Sequence, residues 1–223
     1  MIHILCPAPS ESAGVLVKAI KEVGGDARRA RRNLPLSPGD KVVCWGRPAG
    51  HLEADGVVLY NNVRAINKLA ELQEMQSRGI PVPLFTVPGP VQPPDLVENW
   101  IPRRLNHQDS EDFRNPPTAP AFWTQRIQFV EEWRFHIFHG RSLRAARKER
   151  LGDGTFHYSY RMGPPTLRKV AIQAVRALGL DFGAADVALT TAGTAVVFEV
   201  NRRPGLDPNG RTAHRYAAAF MEG

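Results

Sequence analysis

Two rhythms of apolar and polar positions alternate along the first sixty residues. Residues 2–6 (IHILC), 41–45 (KVVCW) and 57–60 (VVLY) are short β-rich runs bounded by Gly, Pro or Asp, and they read as strands. Residues 12–23 follow a helical period, with Ser10 or Ser12 as the cap and Gly24-Gly25 as the stop. Strands alternating with helix predict a small parallel sheet in an α/β fold. Residues 63–78 then place Ile66, Leu69, Leu72 and Met75 at helical spacing before Gly79. The stretch 80–94 (IPVPLFTVPGPVQPP) is proline-rich and reads as an extended linker or edge strand. A domain boundary is therefore expected near residue 85, dividing the chain into 1–85 and 86–223.

In the second part, residues 100–105 read as a strand and 115–120 (NPPTAP) as a loop. Along 100–105 the alternation puts Arg103 on the face of Ile101 and Leu105, and Arg104 on the opposite face. Residues 122–139 read as strand, turn, strand, and 142–150 as a further strand that becomes very basic. Residues 167–178 are an amphipathic helix through Val170, Ala171, Ala174, Val175 and Leu178. Residues 185–190 and 194–200 form a hairpin around Ala192-Gly193, and 211–221 close the chain as a helix.

The hairpin carries the most specific chemistry. Pairing Thr191 with Thr194 places Asp186 opposite Glu199, and Asn201 lies two residues on, on the same face. Two carboxylates opposed across a ladder repel each other, and a divalent cation would remove that conflict. Two acids and an amide oxygen form a hard, oxygen-only set that suits Mg²⁺, with Mn²⁺ as the alternative.

Composition narrows the classes. The chain has 223 residues and mixes charged residues with ample Leu, Val, Ile and Ala, which excludes a disordered chain. No apolar run approaches the ~20 residues of a membrane span, and the start MIHILCPAPSESAG lacks the basic and apolar regions of a signal peptide. Cys6 and Cys44 fall in expected strands, as buried thiols rather than a disulfide. A cytoplasmic protein is expected. The net charge of +7, mostly arginine, favours an anionic substrate. Nucleic acid is the less favoured partner, and the densest basic run, residues 26–33 (DARRARRN), reads as a solvated loop face.

Residues 179–186 (GLDFGAAD) followed by 198–205 (FEVNRRPG) resemble the closing signature of the ATP-grasp superfamily, which includes D-alanine–D-alanine ligases and ribosomal-protein glutamate ligases. The resemblance implies an ATP-grasp fold with a small pre-ATP-grasp domain, ATP lying between two α+β lobes. It also implies that Asp186, Glu199 and Asn201 hold the magnesium ions that bridge the nucleotide phosphates. Residues 61–70 (NNVRAINKLA) with 79–83 (GIPVP) are similar to the segment whose lysine contacts the phosphates, here Lys68. The usual second lysine is replaced by Arg103 or Arg104, of which Arg104, on the face away from Ile101 and Leu105, is the better placed by the family's pattern, and the loop after it, which includes His107, lacks the family's glycines. Residues 122–127 (FWTQRI) resemble the hinge strand and put Gln125 and Ile127 beside adenine. Residues 131–137 (EEWRFHI) resemble the strand on which Glu132 approaches the ribose or the lysines and Arg134 faces the active centre.

Carried over in the same way, Arg134, Lys148 and Arg161 surround the transferring phosphoryl group and the substrate carboxylate, with Arg147 as the alternate for Lys148. Arg202 and Arg203 meet an anionic substrate, where several relatives have Thr or Ser at the first position. The activity implied is that of a carboxylate–amine ligase using ATP and Mg²⁺ through an acylphosphate. Its substrates would be a small-molecule or peptide carboxylate and an amine. A kinase acting on a hydroxyl and a non-catalytic nucleotide-binding module are the rival readings.

Overall fold

The computed structural model describes every residue except 7–9, 31–34, 47, 51–54, 88–95, 107–111, 113–114, 153–154 and 208. Ile2–Leu5 (β1), Ala27–Ala30 (β2), Lys41–Cys44 (β3) and Val58–Tyr60 (β4) form a parallel sheet in the order β2-β1-β3-β4. All four residues of β1 are buried, as a central strand of a parallel sheet requires. Between β1 and β2 runs Glu11–Glu22 (α1). Ser10 caps it, accepting from the Ala13 N–H at 3.3 Å, while Ser12 Oγ is within 3.0 Å of the Trp45 indole nitrogen. Strand β2 corrects the expectation of a solvated loop for the start of the basic run. Ala27 and Ala30 are buried and Arg28 and Arg29 exposed, so the arginines project from an edge strand whose alanines pack inward.

Asn61 fastens this sheet to the rest of the chain. It sits in the left-handed region at φ 56°, and its side-chain oxygen accepts the N–H groups of Asp181 and Phe182. Its amide donates to Phe182 O, and its own N–H meets Asp181 Oδ2 at 2.6 Å. Lys68–Ser77 (α2) follows. It begins five residues later than the apolar period suggested, because Asn67 caps it by accepting from Ala70 N–H.

Phe85–Thr86 (β5), the short helix Leu96–Asn99 (α3), Trp100–Arg103 (β6) and Phe122–Gln125 (β7) come next. The three strands pair antiparallel in the order β5-β7-β6. Within the described part of the proline-rich stretch only Phe85–Thr86 forms an edge strand, and residues 88–94 of it lie outside the described residues. The larger sheet contains Phe129–Phe138 (β8), Arg141–Arg150 (β9), Phe156–Tyr160 (β10), Phe182–Thr190 (β11) and Ala195–Asn201 (β12), antiparallel in the order β10-β9-β8-β11-β12. Strand β10 was not expected from the sequence. Pro165–Ala177 (α4) and Arg211–Glu222 (α5) complete the fold.

The larger sheet has two unlike faces. On one, Trp133, Phe135, Ile137, Ala185, Val187, Val197 and Val200 pack with α4 through Leu167, Ala171, Ala174 and Val175. On the other, Phe138 and Phe182 pack under α5 with Tyr216 and Phe220. That cluster also takes in Ile4, Leu16, Ile20 and Trp45, so it joins residues from both sides of position 85. Helix α5 covers only this end of the face.

The hairpin closes differently from expectation and still delivers the same pair. Thr190, not Thr191, bonds with Thr194: the Thr190 N–H donates to Thr194 O and the two hydroxyls meet at 2.8 Å. A β-bulge then skips Phe198, so that Val187 pairs with Val197 but Asp186 with Glu199. The bulge cancels the one-residue shift at the turn. Among the described residues no helix is long and apolar enough to cross a membrane.

Candidate active site

Side-chain alternation builds the site. Asp186 pairs with Arg134 on β8 and with Glu199 on β12; Arg134 pairs with Ala146, and Glu132 with Lys148. Registered partners share a face, so Glu132, Arg134, Lys148, Asp186 and Glu199 converge on the half of the sheet that α5 leaves uncovered. Asn201, two residues beyond Glu199, joins them.

The contacts are charge-assisted throughout. Arg134 grips Asp186 with both ends of its fork, Nε to Oδ1 at 2.7 Å and Nη2 to Oδ2 at 2.8 Å. Lys148 Nζ donates to Asp186 Oδ2 at 3.0 Å and to Glu132 Oε1 at 2.6 Å. Lys68 Nζ, arriving from α2, stands 3.2 Å from Glu199 Oε2 and 3.3 Å from Glu71 Oε2. Asn201 Nδ2 donates to Glu199 Oε1 at 2.8 Å. Phe156 and Tyr158 of β10 lie against Lys148 and Arg134, with the ammonium 4.3 Å and the guanidinium carbon 5.4 Å from the ring centroids.

This corrects the picture of two bare carboxylates repelling across a hairpin. Asp186 is 1% exposed and its conflict with Glu199 is already answered by the protein's own cations. Burial alone would raise the Asp186 carboxyl; Arg134 and then Lys148 outweigh it and hold it well below the usual range. Burial opposes ionisation of Glu199 too, yet Lys68 brings it down to about 2. For Lys68, burial works against the charge, and Glu199 followed by Glu71 overcomes it and pushes the ammonium up. Burial dominates at Glu71 and Glu132, raising both carboxyls against the pull of Lys68 and Lys148.

The donor set fits a divalent cation in kind and in placement. Two opposed carboxylates lie on one face with the Asn201 amide beside them, a set that can offer hard oxygen donors. Both Asp186 oxygens also serve side-chain cations, so an incoming metal must share them.

Other expected residues are dispersed. Gln125 ends β7, its N–H donating to Leu84 O, and Ile127 lies in the short segment joining the two antiparallel sheets. The Arg103 charge feels Glu199, with Asp112 the nearer acid at 3.6 Å. Arg104 instead turns toward Asp112 Oδ1 at 2.8 Å and the Asn115 carbonyl at 3.0 Å. Strand β6 ends at Arg103, so the alternation that favours Arg104 for the phosphates does not extend to it. The Lys68 N–H donates to Leu105 O, tying α2 to the end of this segment.

Arg161 is exposed, its guanidinium reaching Ser159, and is not brought into the cluster. Arg202 donates to the Arg64 carbonyl at 2.8 Å, on the Glu71 side. The Arg203 side chain packs on Gly46, where an added Cβ would come within 2.8 Å of it. His107 lies outside the described residues. The sequence reading missed Glu71, Asp112 and Tyr158. Of these only Glu71 left a signal, its spacing three residues after Lys68.

Comparison with known proteins identifies the class. A family model described as an ATP-grasp domain, the third family of its clade, matches residues 50–210, and the chain belongs to that family. No curated protein matches the sequence. The solved structures similar to it include the ATP-grasp ligase PsnB complexed with minimal precursor, Mg and ADP, with a TM-score of 0.70 at 12% identity. That match covers 99% of this chain and 97% of that one. The macrocyclase MdnC bound with precursor peptide MdnA, from Microcystis aeruginosa MRC, matches with a TM-score of 0.68 at 15% identity, over 100% and 99%. The D-cycloserine synthetase DcsG matches with 0.68 at 20%, over 99% and 98%. Identities this low establish the fold, which is ATP-grasp.

Proposed function

We propose that the protein is an ATP- and Mg²⁺-dependent ligase that joins a carboxylate to an amine through an acylphosphate. The observation that carries this is the convergence of Lys68, Lys148 and Arg134 on two opposed hairpin acids in an ATP-grasp fold. Three partly buried cations gathered on one sheet face are what a triphosphate and a migrating phosphoryl group need. The PsnB structure contains Mg with ADP, MdnC holds a peptide and DcsG is a synthetase of a small molecule, which supports ATP chemistry on either substrate size.

In the proposed sequence a carboxylate oxygen attacks the γ-phosphorus and the bond to the β–γ bridging oxygen breaks, releasing ADP. The amine then attacks the acyl carbon, inorganic phosphate leaves with the bonding pair, and the proton the nitrogen sheds passes to the departing phosphate. Lys68, Lys148 and Arg134 exchange the hairpin carboxylates for phosphate oxygens, and Arg103 supplies a fourth cation from β6. Glu132 keeps Lys148 oriented or meets the ribose, and Gln125 and Ile127 border the adenine. Arg202, with Arg161 at the rim, orients the anionic substrate. Asp186, Glu199 and Asn201 would hold Mg²⁺, which supplies charge neutralisation at the phosphates. Residues 1–85 serve as the pre-ATP-grasp domain and 86–223 as the nucleotide-binding domain, in a cytoplasmic protein.

The test is product analysis over pools of carboxylates and amines. ADP and phosphate released only when acid and amine are both present supports a ligase. A stable phosphoester with ADP would replace it with a kinase, and nucleotide binding without turnover in every pool would replace it with a binding module.

A further inference from the structure

Each lysine of the cluster is shared by two carboxylates, one from the hairpin and one from elsewhere. Lys148 lies between Asp186 and Glu132, its neighbour on β8. Lys68 lies between Glu199 and Glu71, at 3.2 and 3.3 Å. We propose that Glu71 is a positioning residue of the nucleotide site, which retains Lys68 when Glu199 turns to a divalent cation. This rests on the metal-nucleotide reading above.

The geometry leads there in three steps. An ammonium has three donors and can serve two carboxylates at once, and the two distances are nearly equal. A cation bound at Glu199 competes with Lys68 for the same carboxylate. Lys68 is largely withdrawn from water, its side chain 21% exposed, so losing Glu199 without a second anion would leave a largely buried charge unpaired until a phosphate oxygen reaches it. Glu71 is that second anion. Its side chain is 6% exposed and sits one turn along α2 from Lys68, on the same helix, so the pair moves as a unit. The Lys148 clamp, by contrast, is built wholly within the sheet. With Glu71 in place Lys68 can give up Glu199; without it Lys68 depends on Glu199 alone and holds it against the metal.

The test is Mg²⁺ dependence of binding of a non-hydrolysable ATP analogue, followed by calorimetry in the wild type, Glu71→Gln, Lys68→Met and the double variant. Glu71→Gln is expected to raise the Mg²⁺ concentration for half-maximal binding by about 5–30-fold, the size of coupling between contacting charges. In the Lys68→Met background the same substitution should shift nothing. An unshifted Glu71→Gln titration overturns the inference. So does a shift that persists in the Lys68→Met background, since Glu71 would then act by general electrostatics or through Arg202. If Glu71→Gln alone does not fold, Lys68→Met against the double variant still decides, because equal Mg²⁺ dependence supports the inference and unequal dependence overturns it. Nucleotide binding by the wild type that ignores Mg²⁺ would remove the site reading itself, and this inference with it.

Discussion

Two halves of one sheet face follow opposite rules. Strands β8 and β11 run across both. At one end Phe138 and Phe182 stack under Phe220 and Tyr216, and the half is held by apolar burial. Four residues along β8, Arg134 faces Asp186, and the half is held by ion pairs. His136 marks the border. It is fully buried, its Nδ1 3.4 Å from the Tyr216 hydroxyl, and burial together with Arg134 brings its pKa down to about 3. The difference lies in what α5 covers. A covered half can do without charge; an uncovered one can concentrate it, provided every charge has a partner. Stability and chemistry are thus neighbours on the same strands and are separable by mutation.

The largest effect on stability should come from the covered half. Phe182→Ala is expected to lower unfolding free energy by about 3–5 kcal/mol. Urea unfolding measures it, and nucleotide affinity of the folded fraction should hold. If affinity collapses as well, the two halves are not separable. Asp186→Asn attacks the other half. It preserves shape but strips the anion from Arg134 and Lys148, at a cost of about 3 kcal/mol, and it should abolish Mg²⁺-dependent nucleotide binding. A variant as stable as wild type would show that the ion pairs do not hold this half.

The border residue sharpens the comparison through pH. Below about pH 6.5 the unfolded chain takes up a proton at His136 that the folded chain refuses until about pH 3. Stability should therefore fall as pH drops through that window. Glu199, held at about 2, adds a further loss below its ordinary value of 4.5. His136→Gln should flatten the upper part of the acid slope in urea midpoints taken at several pH values; an unchanged slope assigns it to other groups. The smallest contrast separates the two arginines. Arg103→Ala should weaken nucleotide binding by about 1.5–3 kcal/mol, and Arg104→Ala by much less. The reverse order would return Arg104 to the phosphates.

What was legible in the sequence follows the same division. Residue alternation fixed which residues of the hairpin share a face, and Asp186 was placed opposite Glu199 although the assumed turn was one residue off. Period and spacing also located α1, α4 and α5 to within a few residues. Strand β2 was hidden because its arginines outweigh its two buried alanines in any composition reading. Strand β10 was hidden because an edge strand is specified by its partner β9 more than by its own sequence. Glu71 and Asp112 acquire their meaning only when α2 and the segment after β6 are brought beside the sheet. Arg161 looked equivalent to Lys148 along the chain, but its side chain turns to Ser159. The cations that answer Asp186 and Glu199 were expected near phosphate; that they pair with the acids themselves is a tertiary fact.

The bulge at Phe198 has a consequence for how this protein tolerates length change. A strand without it would transmit any one-residue insertion or deletion at the turn as a half-rotation of every later side chain, exchanging inside for outside. Here the ladder from Asp186–Glu199 to Ala184–Asn201 is pinned on its far side by β8 and keeps its own count. The tip, where Gly193 stands at φ 78° with open space where a Cβ would lie, keeps another. The hairpin therefore behaves as two registers joined by a one-residue clutch. A one-residue deletion at its tip can be taken up by removing the bulge, while Glu199 continues to face Asp186.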